Sequence, residues 1–388
     1  MLQAQISLPG SVRLATLPPL ALYAHLPWCV RKCPYCDFNS HERADALPER
    51  EYVDALVADI EGLLPSVWGR RLRSIFIGGG TPSLFSPESI DRLLAAIRAR
   101  LPLEPDAEVT LEANPGTAEA GRFRGYRAAG VNRLSLGIQS FSDEKLRSLG
   151  RIHSAGEARR AIDMAQAVFD NVNLDVMYGL PGQTLAEARA DAAEGLRFGT
   201  THFSAYQLTL EPNTVFYSKP PQLPEHDASA DMQLAVEELA AAAGFEHYET
   251  SAFARPKRRC RHNMNYWEFG DYLGIGAGAH GKLSFADRVT RHERAKQPRE
   301  YLASAGTLQE KVIAPRELPF EFMLNALRLV EGVPAGMFAE RTGLPGAVIL
   351  RKLQVAREKG LLEEATLRIR PTRRGRLFLN ELLQLFLD

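Results

Sequence analysis

Residues 22–41 read LYAHLPWCVRKCPYCDFNSH, an apolar run that passes directly into a loop with cysteines at 29, 33 and 36. The spacing is C-x3-C-x2-C. A loop this compact lets Cys29, Cys33 and Cys36 converge on one face of a 4Fe-4S cubane, for which soft thiolates are suited. Three ligands for four irons leave one iron open to a coordinating molecule. Structural zinc is the competing chemistry, with His41 completing a Cys3His set. Position favours the cluster, because the loop leaves the first of a series of β-type runs, where ligand-bearing loops of a βα sheet belong.

The series continues at 74–77 (SIFI), 109–113 (VTLEA), 134–138 (LSLGI), 172–177 (VNLDVM) and 203–208 (FSAYQL). Amphipathic stretches lie between, among them EYVDALVADIEGLL, SIDRLLAAIRARL, EARRAIDMAQAVF and LAEARADAAEGLRF. Strands alternating with helices predict an α/β fold with a parallel sheet. Six units fall short of a complete eight-stranded barrel, so an open barrel and a doubly wound sheet both fit. In either, ligands gather at the C-terminal strand ends, and the motifs that carry chemistry fall there.

The chain has 388 residues, 45% hydrophobic and 24% charged, with 47 Lys+Arg against 47 Asp+Glu. A balanced surface gives no general pull toward nucleic acid or an acidic membrane. The N-terminus lacks the apolar core of a secretory signal, and no stretch is long and apolar enough to span a bilayer. Four cysteines, three of them within eight residues, point to metal or redox chemistry in a reducing compartment rather than to a disulfide framework. A cytoplasmic protein is expected.

Several further motifs, in order, resemble one known family: YAHLPWCVRKCPYCDF, FIGGGTPSLF, LEANPGT, RLSLGIQSF, LGRIHS, NLDVMYGLPGQT and HNMNYW. The chain resembles the radical S-adenosylmethionine superfamily, and within it the oxygen-independent coproporphyrinogen III oxidases and their relatives. The resemblance implies a partial (β/α)6 barrel, a 4Fe-4S cluster with S-adenosylmethionine at its open iron, and an electron donor for the cluster. It carries cofactor contacts onto Tyr23, Tyr35, Gly79, Gly80, Thr81, Glu112, Gln139, Arg151 and Asp175. Their chemistry suits the role: Asp175 can accept from ribose hydroxyls, Arg151 can clamp a carboxylate, and the glycines permit close backbone approach.

Two departures separate the chain from the oxidases of that family. Their pattern has a fourth cysteine two residues after the third, where this sequence has Phe38. They also usually carry a longer N-terminal segment. Both features resemble instead the related heme chaperones of the HemW type, which implies binding of heme and its transfer to an acceptor hemoprotein such as a respiratory enzyme. Decarboxylation of coproporphyrinogen III is the alternative activity.

The segment HNMNYW contains HNxxYW, which the resemblance associates with heme. On a helix, His262 and Tyr266 share a face. The expected roles are His262 as an axial ligand, with Tyr266 and Trp267 offering flat apolar surface. His25 is a second candidate, and Cys260 lies outside any C-x-x-C-H attachment motif. Five glycines follow between 270 and 281, suiting either a flat ligand or a tight backbone crossing.

From about residue 315 the pattern is helix, helix, longer helix and a β-turn-β ending, which resembles a winged helix. Residues 345–388 carry 9 Lys/Arg against 5 Asp/Glu, too slight an excess to predict nucleic-acid binding. The expected units are 1–250, the barrel; 251–314, a connecting segment; and 315–388, the C-terminal domain.

Overall fold

The computed structural model describes residues 11–43, 46–117, 120–304, 306–364 and 367–387. Six strands stand side by side in chain order: β1 (Leu20–Leu26), β2 (Leu72–Gly79), β3 (Leu103–Ala113), β4 (Arg133–Gln139), β5 (Val172–Tyr178) and β6 (His202–Gln207). Every neighbouring pair is parallel. A doubly wound sheet would reverse its strand order at a switch point. The unbroken order makes this an open (β/α)6 barrel wall.

Period-two alternation assigns the two faces. One series of strand residues, including Leu22, Ile75, Leu111, Leu134 and Leu174, packs against the helices in the main core. These helices include α1 (Glu49–Leu63), α2 (Pro87–Arg100), α3 (Ala120–Ala129), α4 (Ala155–Gln166) and α5 (Leu185–Arg197). They contribute apolar stripes such as Leu56 and Ile60 of α1 and Leu93 and Ile97 of α2. Helices α4 and α5 each begin with a capping box, Ser154 with Glu157 and Thr184 with Glu187. This satisfies the first free N–H groups and sets where each helix starts. The opposite strand series is polar: Glu112, Ser135, Asp175 and Ser204 face the barrel interior, with Asp175 in register with Ser204.

The sheet extends beyond the six strands on both sides. Past β6 lie β7 (Glu246–Glu249) and β8 (Ala252–Ala254), in the order β6-β8-β7. After the short helix α6 (Arg261–Trp267), the strand β9 (Asp271–Ile275) joins β1 in parallel. Strands β10 (His280–Ser284), β11 (Val289–Glu293) and β12 (Gln309–Val312) follow antiparallel. The glycine-rich stretch is therefore two strands and their turn, and the backbone crossing is its explanation. A Cβ on Gly274 would stand 1.9 Å from the His280 carbonyl oxygen. Glycine is the residue that lets β9 and β10 meet there.

A second core forms around α7 (Leu318–Ala326), α8 (Met337–Thr342) and α9 (Leu350–Glu358), including Phe322, Phe338, Leu353 and Phe386. Val12, Leu14, Phe269 and Val289 also join it, so chain from outside residues 315–388 completes it. The expected β-turn-β ending is only partly realised. Arg368–Ile369 pairs with Val333–Pro334, and a single bridge links Leu362 to Pro371. Thr372 then caps a helical turn, accepting from the Gly375 N–H at 3.0 Å, and the chain ends in helices rather than in a wing. Among the described residues no helix is long and apolar enough to cross a membrane.

The C-terminal unit is stitched to the sheet edge beside β7. Glu249 bridges to Leu329, the Thr250 N–H donates to the Arg328 carbonyl at 3.0 Å, and the Val330 N–H donates to that of Tyr248 at 3.1 Å.

Candidate functional site

A cavity of about 540 Å³ opens among the C-terminal ends of the barrel strands. That size lies within the usual range for small-molecule sites. Cys29, Cys33 and Cys36 stand on its rim, all partly exposed and none in a disulfide. Tyr35, Gly79, Gly80, Thr81, Glu112, Gln139, Arg151 and Asp175 line it, so the structure gathers most of the sequence-derived positions around one space. Tyr23 is absent from the lining. Its ring stacks on Phe76 and its hydroxyl lies 2.9 Å from His25 Nδ1. Nε2 of His25 lies 2.8 Å from the Asn39 carbonyl, which can only accept. Burial lowers the His25 pKa, so the neutral ring carries its proton on Nε2 and accepts from Tyr23 at Nδ1. His25 thus holds the cysteine loop by its backbone.

The surroundings of the thiols fit a cluster. Thr81 Oγ1 donates to Cys29 Sγ at 3.6 Å, Arg151 Nη1 donates to Cys33 Sγ at 3.6 Å, and Ser40 Oγ lies 3.8 Å from Cys36 Sγ. Polar groups with N–H or O–H protons around sulfur suit thiolates carrying negative charge. His41, the fourth ligand of the zinc alternative, is engaged with other partners. His41 Nε2 lies 3.3 Å from both Asn39 Oδ1 and the Lys296 carbonyl. Among the described residues, no three Cys, His, Asp or Glu side chains gather closely enough to hold a single metal ion.

The glycine motif after β2 is tied to the cysteine loop by its backbone. The N–H groups of Gly80 and Thr81 donate to the carbonyls of Leu26 and Trp28, each at 2.8 Å. Gly79 has φ +118°, and a Cβ there would stand 2.7 Å from the His25 ring. Its own N–H donates to Glu112 Oε2 at 3.2 Å.

Two buried carboxyls face the cavity. Asp175 accepts from Ser135 Oγ at 3.0 Å and from Asn173 Nδ2 at 2.8 Å. Burial raises its pKa against those hydrogen bonds. Glu112 is pushed up to about 8, first by burial and then by the neighbouring Asp175. Between the ordinary carboxyl value and about 8, the folded protein therefore keeps a proton that the unfolded chain releases. Cofactor-free protein is expected to lose stability, on the order of a few kcal/mol, as pH rises from about 4.5 to 8. Thermal melts of wild type and Glu112→Gln across that window test this: the variant's curve should be flatter, and parallel curves would refute it.

Arg151 donates through Nη2 to the Gly137 carbonyl at 2.8 Å, while its buried Nε has no hydrogen-bond partner. Gln139, at the end of β4, adopts φ 69° and accepts from Tyr206 at 2.6 Å.

Helix α6 carries the HNxxYW residues but divides them between two faces. Asn263 and Trp267, four apart, reach the cavity. His262 and Tyr266 face the other way, onto β2. His262 is 1% exposed, with Ser74 Oγ 3.0 Å from Nδ1 and the Tyr266 hydroxyl 3.1 Å from Nε2. Burial and the Arg133 charge lower its pKa to about 3. Both ring nitrogens are already engaged, so this arrangement departs from the expected axial ligation through His262. The two pairs are offset by only one residue within a helix of seven, so i, i+4 spacing alone does not say which pair faces the cavity.

Further cavity residues escaped the sequence reading, among them Tyr206, Asn263, Glu249 and Arg328. Tyr206 lay within a run read only as a strand, and Asn263 directly follows the His262 that was chosen. Glu249 and Arg328 come from the sheet edge and the C-terminal unit, and no local motif marks either.

Family comparison agrees with this architecture. Residues 23–194 match the model of the radical SAM superfamily, and residues 313–378 match that of the HemN C-terminal domain. The heme chaperone HemW of Escherichia coli is 49% identical, covering 96% of this chain and 100% of that protein. HemW of Haemophilus influenzae is 48% identical over 96% of this chain and 98% of that protein. The solved structure of coproporphyrinogen III oxidase (HemN) from Escherichia coli, a radical SAM enzyme, aligns at TM-score 0.80 with 22% identity. It covers 95% of this chain and 90% of its own, which establishes a shared fold. Near full-length identity at this level makes the chain a member of the HemW heme-chaperone family, within the radical SAM superfamily.

Proposed function

We propose that this chain binds heme in the cytoplasm and passes it to an acceptor hemoprotein, a respiratory enzyme being one such acceptor. The barrel would hold a 4Fe-4S cluster on Cys29, Cys33 and Cys36, with S-adenosylmethionine beside it. The observation that carries the reading is the makeup of the cavity: one rim is the cysteine loop with Phe38, and the other is Trp267. Phe38 is 59% exposed, so an aromatic ring stands where a further thiol would otherwise have joined the loop. Flat rings at a cavity rim suit a macrocycle.

Cluster and S-adenosylmethionine together supply one-electron bond-cleaving chemistry when bound, and an external donor supplies the electron. The chain's own residues orient and shield. Glu112 and Asp175 offer buried acceptors for the ammonium and hydroxyl groups of the cofactor, and Arg151 offers the free Nε–H to its carboxylate. Tyr35 closes the cavity beside Cys33.

The test is anaerobic. Reconstituted protein is given coproporphyrinogen III, S-adenosylmethionine and a reductant, and heme uptake is titrated separately by absorbance. Stoichiometric heme uptake without protoporphyrinogen formation is expected. Removing the indole in Trp267→Ala should weaken uptake about tenfold, the loss expected for one buried aromatic contact. Turnover of coproporphyrinogen III would make the chain an oxidase and overturn the reading.

A further inference from the structure

We infer that Arg328 and the Trp267 indole N–H form a subsite for a carboxylate side group of the bound tetrapyrrole, delivered to the cavity by the C-terminal unit. The inference rests on the heme-binding reading above and specifies how that ligand is oriented. Both residues line the cavity. Trp267 Nε1 and Arg328 Nε are each buried and without a hydrogen-bond partner. A buried N–H left unpaired costs free energy, so two of them on contacting side chains that line one cavity call for an acceptor.

The pair is held in place before any ligand arrives. The Arg328 guanidinium lies over the Trp267 ring, 4.4 Å from its centroid. Its backbone carbonyl is fixed by the Thr250 N–H at 3.0 Å. Glu249, 3% exposed, meets Nη2 at 3.5 Å and leaves Nε free. Burial raises the Glu249 pKa, which lessens the negative charge an incoming anion would meet. A cationic planar donor in contact with a neutral indole donor matches a carboxylate, and that contact lowers the entropy lost in holding it. Glu249 is then a positioning residue for Arg328.

Carboxylates reach this cavity from two sources, the tetrapyrrole's acidic side chains and the methionyl end of S-adenosylmethionine. Heme and heme dimethyl ester, which lacks free carboxylates, separate them. Affinities of reconstituted full-length protein for both are measured by difference absorbance, and S-adenosylmethionine binding by equilibrium dialysis. Arg328→Gln is expected to weaken heme binding about 10- to 100-fold, in the range for a charge-assisted hydrogen bond, and to leave the ester unchanged. Trp267→Phe, which keeps a ring and removes the N–H, should cost heme about 3- to 10-fold with the ester again unaffected.

Equal losses for heme and its ester would overturn the subsite and assign Arg328 to packing. Weakened S-adenosylmethionine binding with heme unaffected would place the carboxylate on the other ligand and overturn it too. A wild-type protein that takes up no heme would instead defeat the proposed function itself. Should Arg328→Gln fail to fold, Trp267→Phe carries the comparison alone.

Discussion

Cys33→Ala is expected to leave the anaerobically reconstituted protein without the broad visible absorption and the four-iron content of the wild type. Cys29, Cys33 and Cys36 are the three thiols on the cavity rim. In the proposed site each sulfur would be a third of the protein's hold on a cluster whose fourth iron is left for a small molecule. Two thiolates cannot fix a cubane against exchange with solvent. Cys33 is the most telling of the three because it accepts from Arg151 at 3.6 Å. Removing the sulfur also strips that buried guanidinium of a partner, so S-adenosylmethionine affinity should fall with the iron. Iron and sulfide analysis beside the absorption spectrum checks the first effect, and a variant that retains full iron and spectrum would remove Cys33 from the ligand set. His41→Ala is the matching control: its ring is occupied by Asn39 and Lys296, and iron content should be unchanged.

Asp59→Ala should be among the most destabilising single substitutions in the barrel, costing about 3–5 kcal/mol, because it strands a buried charge. The Asp59 and Arg294 side chains are 0% and 1% exposed. The carboxylate accepts from Arg294 Nε at 2.8 and 2.9 Å and from the Tyr301 hydroxyl at 2.9 Å, with a further bond to Arg294 Nη2. It also receives the Gly276 N–H at 3.3 Å. These bonds fasten α1 to the turn after β9. Asn39 of the cysteine loop grips that same turn through the Ala277 carbonyl at 2.9 Å, and the segment after β11 through the Lys296 carbonyl at 2.8 Å. The variant should therefore melt well below wild type and release iron faster on dilution. Replacing both partners, as in Asp59→Leu with Arg294→Met, should recover part of the loss, since no charge is then left buried. A single variant melting with the wild type would sink the argument.

Much of the site was legible in the sequence because its parts are local. The cysteine spacing, the glycines after β2 and the polar residues at strand ends lie on short segments whose direction follows from strand periodicity. Glu112 and Asp175 occupy the alternate series on β3 and β5, and parallel pairing then brings that series to one side. The heme segment shows where such reasoning stops. A helix of seven residues offers two faces at i, i+4 spacing, and the packing of Ser74 and Phe76 against His262 decided which one faces the cavity. The strand at 271–275 was hidden for a related reason: the glycine-rich stretch suited either a flat ligand or a backbone crossing, and Gly274 is required only because β10 crosses so closely.

The sequence by itself therefore determined the cysteine loop, the six βα units and the family they resemble. Tertiary structure decided the open barrel over the doubly wound sheet, the turn of His262 away from the cavity onto β2, and the arrival of Arg328 at the cavity. Spacing along one chain fixes what neighbours in sequence can hold together, and three thiols within eight residues need little else. Which distant groups share a wall depends on strand order and on how the C-terminal unit docks at β7, which is set by packing across the whole fold. The cysteines could thus be read from one loop, whereas the Trp267–Arg328 pair, 61 residues apart, exists only in the folded molecule.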